Sequence, residues 1–394
     1  MIHIIGAGPA VCIAARACSK IDEVTLFEEH PFSDEYQQRV ACAGLVSLSG
    51  LERLGIDEKA LKKNNIILNE IRGARFYCRD IQKPSLVIDG GRTKALVVDR
   101  GKFDRYLLKK AIDDGVEFVN EYVRFECGNK NKKLNFNSNL NYSFNSKKIN
   151  KIIIATGTDY NIHRVLQRSG IQGVTIPKLL VSAQYDLVFD DSKISGFKND
   201  FVNMFFDIPG FFTWMIPLEK NTLRIGTASF KNPVPHLEKF IGKFAECKGG
   251  MANYTISNKI YGTIPVYNKF IKTQYEYKDT DILLVGDAAA QVKATTGGGI
   301  VMGGICALQT PFHDYEKRWK SVVGGELDRH LFIRKFLNKL KFEETEDLLK
   351  FTSNYKYIIE KHGDMDMASA LITAAIKKPR FAVKFLLKFG RKLV

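Results

Sequence analysis

Gly6 and Gly8, followed by Pro9, Ala10 and Val11 and then, about twenty residues on, by Glu28 and Glu29, have the types and spacing that hold a dinucleotide. Gly6 permits a tight turn at the end of a strand, and Gly8 has no side chain to obstruct a pyrophosphate. Pro9 pre-sets the first turn of a helix. The N-terminus of that helix offers free N–H groups and a partial positive charge to the phosphates. Glu28 can accept hydrogen bonds from ribose hydroxyls. Val11 stands where such a turn usually carries a third glycine, and it should push the helix from the strand or demand a smaller neighbour.

Positioning these residues takes a strand–turn–helix–strand unit, and the chain supplies one. Ile2-His3-Ile4-Ile5 reads as a buried strand, 11–17 as a helix, and Val24-Thr25-Leu26-Phe27 as a second strand. Lys151-Ile152-Ile153-Ile154, ending in Ala155-Thr156-Gly157, and Asp281-Ile282-Leu283-Leu284-Val285, ending in Gly286-Asp287, read as further buried strands. A glycine-rich turn, Gly297-Gly298-Gly299-Ile300, opens a predicted helix over 301–308, and Arg100 precedes another predicted over 105–114. Residues 161–280 read as alternating strands with turn signals. The expected fold class is α/β plus antiparallel β. A Rossmann-type nucleotide domain covers 1–72, 99–160 and 275–310, an inserted antiparallel-sheet domain covers 73–98 and 161–274, and a helical region covers 311–394.

Gly286-Asp287-Ala288-Ala289 with Gly297-Gly298-Gly299-Ile300 resembles the paired element of flavoproteins with the para-hydroxybenzoate hydroxylase fold, with Ala294 in place of its usual proline. In that superfamily the aspartate holds the ribityl chain and the glycine turn lies against the flavin ring. The resemblance therefore implies FAD. Arg100 resembles the superfamily's arginine beside the cofactor, and Ala155-Thr156-Gly157 its strand-end element, with Thr156 replacing the aspartate usual in hydroxylases. Pro209-Gly210-Phe211-Phe212-Thr213-Trp214-Met215-Ile216-Pro217 resembles the signature of the geranylgeranyl reductase family, with Phe212 for its tyrosine and Ile216 for its phenylalanine. Arg39-Val40-Ala41-Cys42-Ala43-Gly44 is similar to that family's cysteine–glycine loop, which approaches the flavin from the substrate side.

The family implies an FAD-dependent reductase that saturates C=C bonds of geranylgeranyl chains on archaeal-type membrane glycerolipids or their precursors. A hydride would come from reduced flavin N5, with a proton added to the other carbon. Extracting a chain of about twenty carbons from lipid costs roughly 15 kcal/mol, so a dry apolar tunnel must replace the bilayer. Phe205, Phe206, Phe211, Phe212, Trp214, Met215 and Ile216 are the candidates to line it, with Phe205, Pro209, Phe212, Trp214 and Pro217 assigned to the substrate. Arg39, Cys42, Ala43 and Gly44 are assigned to the cofactor side, and Cys42 also as a positioning or proton-relay group. The rivals are an FAD monooxygenase or halogenase of the same fold, and a flavin- or prenyl-binding protein without turnover.

Only one full nucleotide fingerprint is present, so electrons are expected from outside, either from NAD(P)H or from a redox protein such as ferredoxin. The net charge of +16 fits an anionic partner. With no nucleic-acid motif in the chain, that partner is not expected to be nucleic acid. Seven cysteines without close pairs give neither a zinc site nor a dithiol couple, as in a cytoplasmic protein with reduced thiols. No run approaches the roughly 18 apolar residues of a membrane span, and with 2–5 already a core strand no signal peptide is expected. From Lys377 to Val394 there are seven basic and no acidic residues. Lys384, Lys388, Arg391 and Lys392 share one helical arc, and Phe381, Phe385, Leu386, Leu387 and Phe389 occupy much of the rest. This pattern suits either an interfacial helix on anionic lipid, giving peripheral membrane association, or a docked helix with a solvated basic stripe. Residues 128–149, where Leu134, Phe136, Leu140, Tyr142 and Phe144 alternate with polar residues, read as an exposed hairpin.

Overall fold

Short runs rich in β-branched and aliphatic side chains make the central strands of the first sheet, because such chains fill a surface buried on both faces. The structure is a computed structural model that describes residues 1–31, 41–127, 134–138, 149–189, 200–219, 221–247, 254–369 and 378–392. The chain forms two compact units. The first comprises Met1–Gln38, Gly101–Lys178 and Pro265–Asp328; the second comprises Arg39–Arg100, Leu179–Ile264 and Arg329–Val394.

In the first unit six strands lie in the order Gln274–Tyr277, Thr280–Leu284, Lys151–Ile154, Ile2–Ile5, Val24–Phe27 and Glu117–Val119. Gln274–Tyr277 runs antiparallel to its neighbour, and the other pairs are parallel. Ile4 sits opposite both Ile153 and Leu26, and Ile153 opposite Leu283. Ile5, Phe27, Ile152, Ile154, Ile282 and Leu284 form one core with Ile162 and Leu166 of the helix Asn161–Arg168. The helices Pro9–Cys18 and Ile300–Ala307 pack against each other. The helix expected at 105–114 begins earlier and spans Arg100–Asp113. Leu134–Ser138 pairs antiparallel with Val123–Cys127 before it, whereas Leu140, Tyr142 and Phe144 of the expected hairpin lie outside the described residues.

In the second unit seven strands lie in the order Tyr254–Pro265, Leu179–Phe189, Thr222–Ser229, Thr213–Glu219, Phe201–Phe205, Gly73–Tyr77 and Leu86–Asp89. One face packs Tyr185, Phe205, Met215 and Ile225 beneath the helix Val234–Cys247. A second cluster joins Ile71, Val97, Val202, Ile216 and Leu218 with Ala43, Leu45 and Trp214. Successive side chains of a strand point to opposite faces, which is why Met215 and Trp214 enter different cores.

The structure departs from the sequence expectation in two ways. The alternation read over 161–280 is broken by two helices, where Ile162, His163 and Leu166, and then Leu237, Phe240, Ile241 and Phe244, recur at helical spacing. Residues 39–72 group with the second unit, because Leu45–Ser47 and Ile67–Ile71 both pair with Ala95–Val98 instead of joining the parallel sheet. Residues 161–178, 265–274 and 311–328 group with the first.

Candidate functional site

In the first unit the strand Ile2–Ile5 ends at Gly6, whose φ of +103° leaves little choice but glycine. A Cβ there would also lie 2.7 Å from the Ala155 carbonyl oxygen. Gly8 caps the helix Pro9–Cys18 with extended backbone, and a Cβ on Gly8 would meet nothing within 4 Å. The helix therefore opens onto clear space at Gly8, while its Val11 and Cys12 N–H groups close onto the Gly8 carbonyl at 3.0 and 3.2 Å. Val11 is fully buried, its Cγ2 3.6 Å from the position a Gly6 Cβ would take. The smaller neighbour it needs is Gly6. On the far side of the helix, a Cβ on Gly303 would lie 3.1 Å from Gly286 Cα and 3.5 Å from Ala10 Cβ.

Glu28 turns back over this opening. The Ala7 N–H donates to its Oε2 at 2.7 Å, and the His30 N–H donates to its Oε1 at 3.0 Å. Glu29 is about half exposed, 3.8 Å from the His30 ring. Thr156 and Gly157 form the facing turn, where the Thr156 hydroxyl donates to the Asp159 carbonyl at 3.3 Å. Arg100, half-buried, begins the helix that carries the buried Phe103 and Asp104.

Asp287 lies in a single turn of helix, Gly286–Ala289, just past the strand Thr280–Leu284. A buried chain fixes that turn. The Gly286 N–H donates to Gln291 Oε1 at 2.8 Å, Gln291 Nε2 donates to Tyr315 Oη at 2.8 Å, and the Tyr315 hydroxyl donates to the Leu284 carbonyl at 2.9 Å. Tyr160 and His163 hold the next two carbonyls, those of Asp287 at 3.1 Å and Ala288 at 2.8 Å. The glycine turn laps over the carboxylate, and a Cβ on Gly299 would lie 2.7 Å from Asp287 Oδ1. Gly297, at φ +72°, and Gly298 close the turn over the buried Lys293, and Ile300 starts the helix. A clear helix start at Gly8, a carboxylate beside it and a second acid under a bare glycine turn fit a dinucleotide with a flat ring. Gly299→Ala, forced against Asp287, is expected to weaken retention of that ligand roughly tenfold or more, measured as ligand released during dialysis.

Burial lowers the His163 pKa from 6.5 to about 4. Its Nε2 donates to Ala288, which leaves Nδ1 buried and, among the described residues, without a partner. The unfolded chain takes up this proton near 6.5 and the folded chain only near 4. The stability His163 confers is therefore complete above 6.5 and is lost as the pH falls towards 4. Urea midpoints should drop between pH 7 and pH 4.5, and His163→Gln, which keeps a donor for Ala288, should narrow the drop.

In the second unit the turn carrying Cys42 is held from below by three strands. Gln184 Nε2 donates to the Cys42 carbonyl at 3.1 Å, and Arg224 Nη1 donates to the Ala43 carbonyl at 3.2 Å. Arg224 is fixed in turn by a bidentate pair with Asp186 at 2.8 and 2.9 Å. A Cβ on Gly262 would lie 2.1 Å from Ala41 Cβ. Gly44, at φ +77° against the Val98 carbonyl, directs its N–H to Cys42 Sγ at 3.4 Å. Trp214 lies flat on Gly226, where a Cβ would approach its Cζ2 to 2.5 Å and Gln184 Cβ to 2.6 Å. The indole Nε1 is buried and, among the described residues, without an acceptor.

Phe211 and Phe212 stack at 4.4 Å, with Trp214 edge-on to both. The buried guanidinium of Arg334 lies 4.7 Å from the Phe211 ring and donates to the Gly210 carbonyl at 3.3 Å. Burial lowers its pKa to about 10, so it stays cationic at neutral pH.

The structure thus brings Cys42, Ala43, Phe212 and Trp214 into one neighbourhood. Phe205, expected with them, is instead core: it stacks on Tyr77 at 4.5 Å and meets Phe240 at 4.8 Å on the opposite face. Met215 enters the same core. Pro209 is exposed, Pro217 is buried and gives its carbonyl to Asn69 at 3.0 Å, and Arg39 lies outside the described residues. Gln184, Asp186, Arg224 and Arg334 carry no motif that sequence reading could use.

No family model matches the chain. It is 29% identical to an uncharacterized protein of Methanocaldococcus jannaschii, over 95% of this chain and 94% of that one. It is 27% identical to the digeranylgeranylglycerophospholipid reductase of Methanosarcina acetivorans, over 100% of this chain and 97% of that one. Among solved structures, a geranylgeranyl bacteriochlorophyll reductase-like protein from Thermoplasma acidophilum superposes with a TM-score of 0.73 at 18% identity, covering 100% of this chain and 98% of that one.

Proposed function

We propose that this chain is a member of the geranylgeranyl reductase family of FAD-dependent oxidoreductases, to which it is similar along its length, and that it saturates C=C bonds in the geranylgeranyl chains of archaeal-type membrane glycerolipids or their precursors. The observation that carries this reading is that Ala43, beside Cys42, and Trp214 pack against one apolar cluster of the second unit. Gly6, Gly8, Pro9, Ala10 and Val11 would hold the pyrophosphate of FAD, Glu28 its ribose, Asp287 its ribityl chain and Gly297–Gly299 its ring edge. When bound and reduced, FAD supplies a hydride for one alkene carbon.

The protein's own residues do the rest. Phe211, Phe212 and Trp214 offer flat apolar surface that orients the chain and keeps water away, which an unactivated alkene requires. Cys42 Sγ gives its proton to the second carbon. The Gly44 N–H, 3.4 Å from Sγ, steadies the thiolate until solvent reprotonates it. Each turnover adds two hydrogens to the substrate, and an external donor, NAD(P)H or a small redox protein, restores the two electrons. No helix among the described residues is long and apolar enough to cross a membrane, and access to lipid substrate is assigned to peripheral association through the basic tail.

The test is mass spectrometry of prenyl lipids incubated with dithionite-reduced, FAD-loaded protein. Mass gains of two hydrogens per step are expected. No gain across a panel of competent substrates overturns the reading. Oxygen-dependent consumption of NAD(P)H with an aromatic substrate would assign the chain to hydroxylation or halogenation.

A further inference from the structure

The tail helix, Pro379–Phe389, has three faces where an ordinary surface helix has two. One face is docked. Phe385 and Phe389 lie 5.9 and 6.4 Å from Phe336, and 6.1 and 5.9 Å from Phe351. Lys388 pairs with Asp347 at 3.3 Å and Lys392 with Glu344 at 3.1 Å, so the helix runs antiparallel along Phe342–Ser353. A helix held this way normally shows solvent a polar surface. This one shows Val383, Leu386 and Leu387, which are 56%, 56% and 83% exposed. Positions i, i+3 and i+4 share one face, and the exposed Lys384 and Arg391 flank it. Phe381, counted with the apolar arc in the sequence, has its side chain outside the described residues.

We propose that this aliphatic outer face, and not the phenylalanine face, seats in the interface of an anionic bilayer while the helix stays docked. The proposal rests on the reading of peripheral membrane association and names the surface responsible. Three branched aliphatic side chains held out in water are stabilised by entering the headgroup–acyl boundary, and the cations beside them then meet lipid phosphates. The net charge of +16 has the sign that such a surface attracts. The docked phenylalanines make the face rigid, so no helix-ordering cost opposes insertion.

The experiment is flotation of the full chain with vesicles of phosphatidylcholine alone and with phosphatidylglycerol added. Binding is expected with the anionic vesicles only. The double variant Leu386→Ser, Leu387→Ser should weaken it about a hundredfold with little change in melting temperature, since both side chains are mostly in water. Phe389→Ala should instead lower the melting temperature. Wild-type-like binding by the double variant overturns this face as the anchor and leaves membrane association standing. Failure of the wild type to float overturns both, while reductase activity on detergent-dispersed lipid remains a separate measurement. Self-association that the serine variant abolishes, without vesicle binding, assigns the face to a second copy and overturns the lipid proposal.

Discussion

Cys42→Ala is expected to slow turnover by about a hundredfold or more, the span that a positioned proton donor contributes, while leaving flavin content unchanged. The thiol is held on both sides, by the Gly44 N–H at Sγ and by Gln184 at its own carbonyl, so alanine removes the proton without moving the turn. Stopped-flow reoxidation of the reduced flavin by prenyl substrate measures this directly. A proton donor also predicts that Cys42→Ser retains part of the rate and shifts its pH profile. Undiminished turnover in Cys42→Ala would remove the residue from the mechanism and make it a small, half-buried apolar side chain.

Arg224→Met is expected to cost about 3–5 kcal/mol of stability, because it strands the Asp186 carboxylate in a site where the two side chains are only 11% and 10% exposed. The companion substitution Asp186→Leu should restore most of that loss, since a well-packed apolar pair often replaces a buried ion pair without penalty. Restored folding should not restore catalysis. The Ala43 carbonyl would still lack its donor, and the Cys42 turn would drift. Urea unfolding and turnover of the two single variants and the double variant check both halves. If the double variant regains stability and full activity together, the ion pair has no part in holding the turn.

The nucleotide half of the protein was legible in the sequence because its geometry is local. Gly6, Gly8 and Glu28 sit within one strand–turn–helix–strand unit, and the spacing that suggested them is the spacing that puts the Ala7 N–H 2.7 Å from the Glu28 carboxylate. Asp287 and Gly299 are likewise only twelve residues apart, in a run rich in glycine and alanine. The support of Cys42 was not legible. Gln184 and Arg224 reach the turn from strands 142 and 181 residues away, and nothing in their neighbours marks them. Phe205 went to the wrong face for a related reason. Side-chain direction along a strand follows parity, and parity could not be counted across the turn between Phe205 and Thr213 until both strand ends were known.

The order of strands in the first sheet has a consequence for how the protein is made. Ile2–Ile5 is hydrogen-bonded to Lys151–Ile154, which in turn pairs with Thr280–Leu284. A ribosome adding about 5–20 residues per second therefore finishes the first strand many seconds before the chain that completes its sheet exists. Pairing of such distant segments is intrinsically slow, so the strand Ile2–Ile5 waits with one edge bare until Lys151–Ile154 is made. The flavin capture proposed above then has to wait until Asp287 and Gly299 have emerged, and chains stalled short of that point are the ones chaperones and proteases would meet.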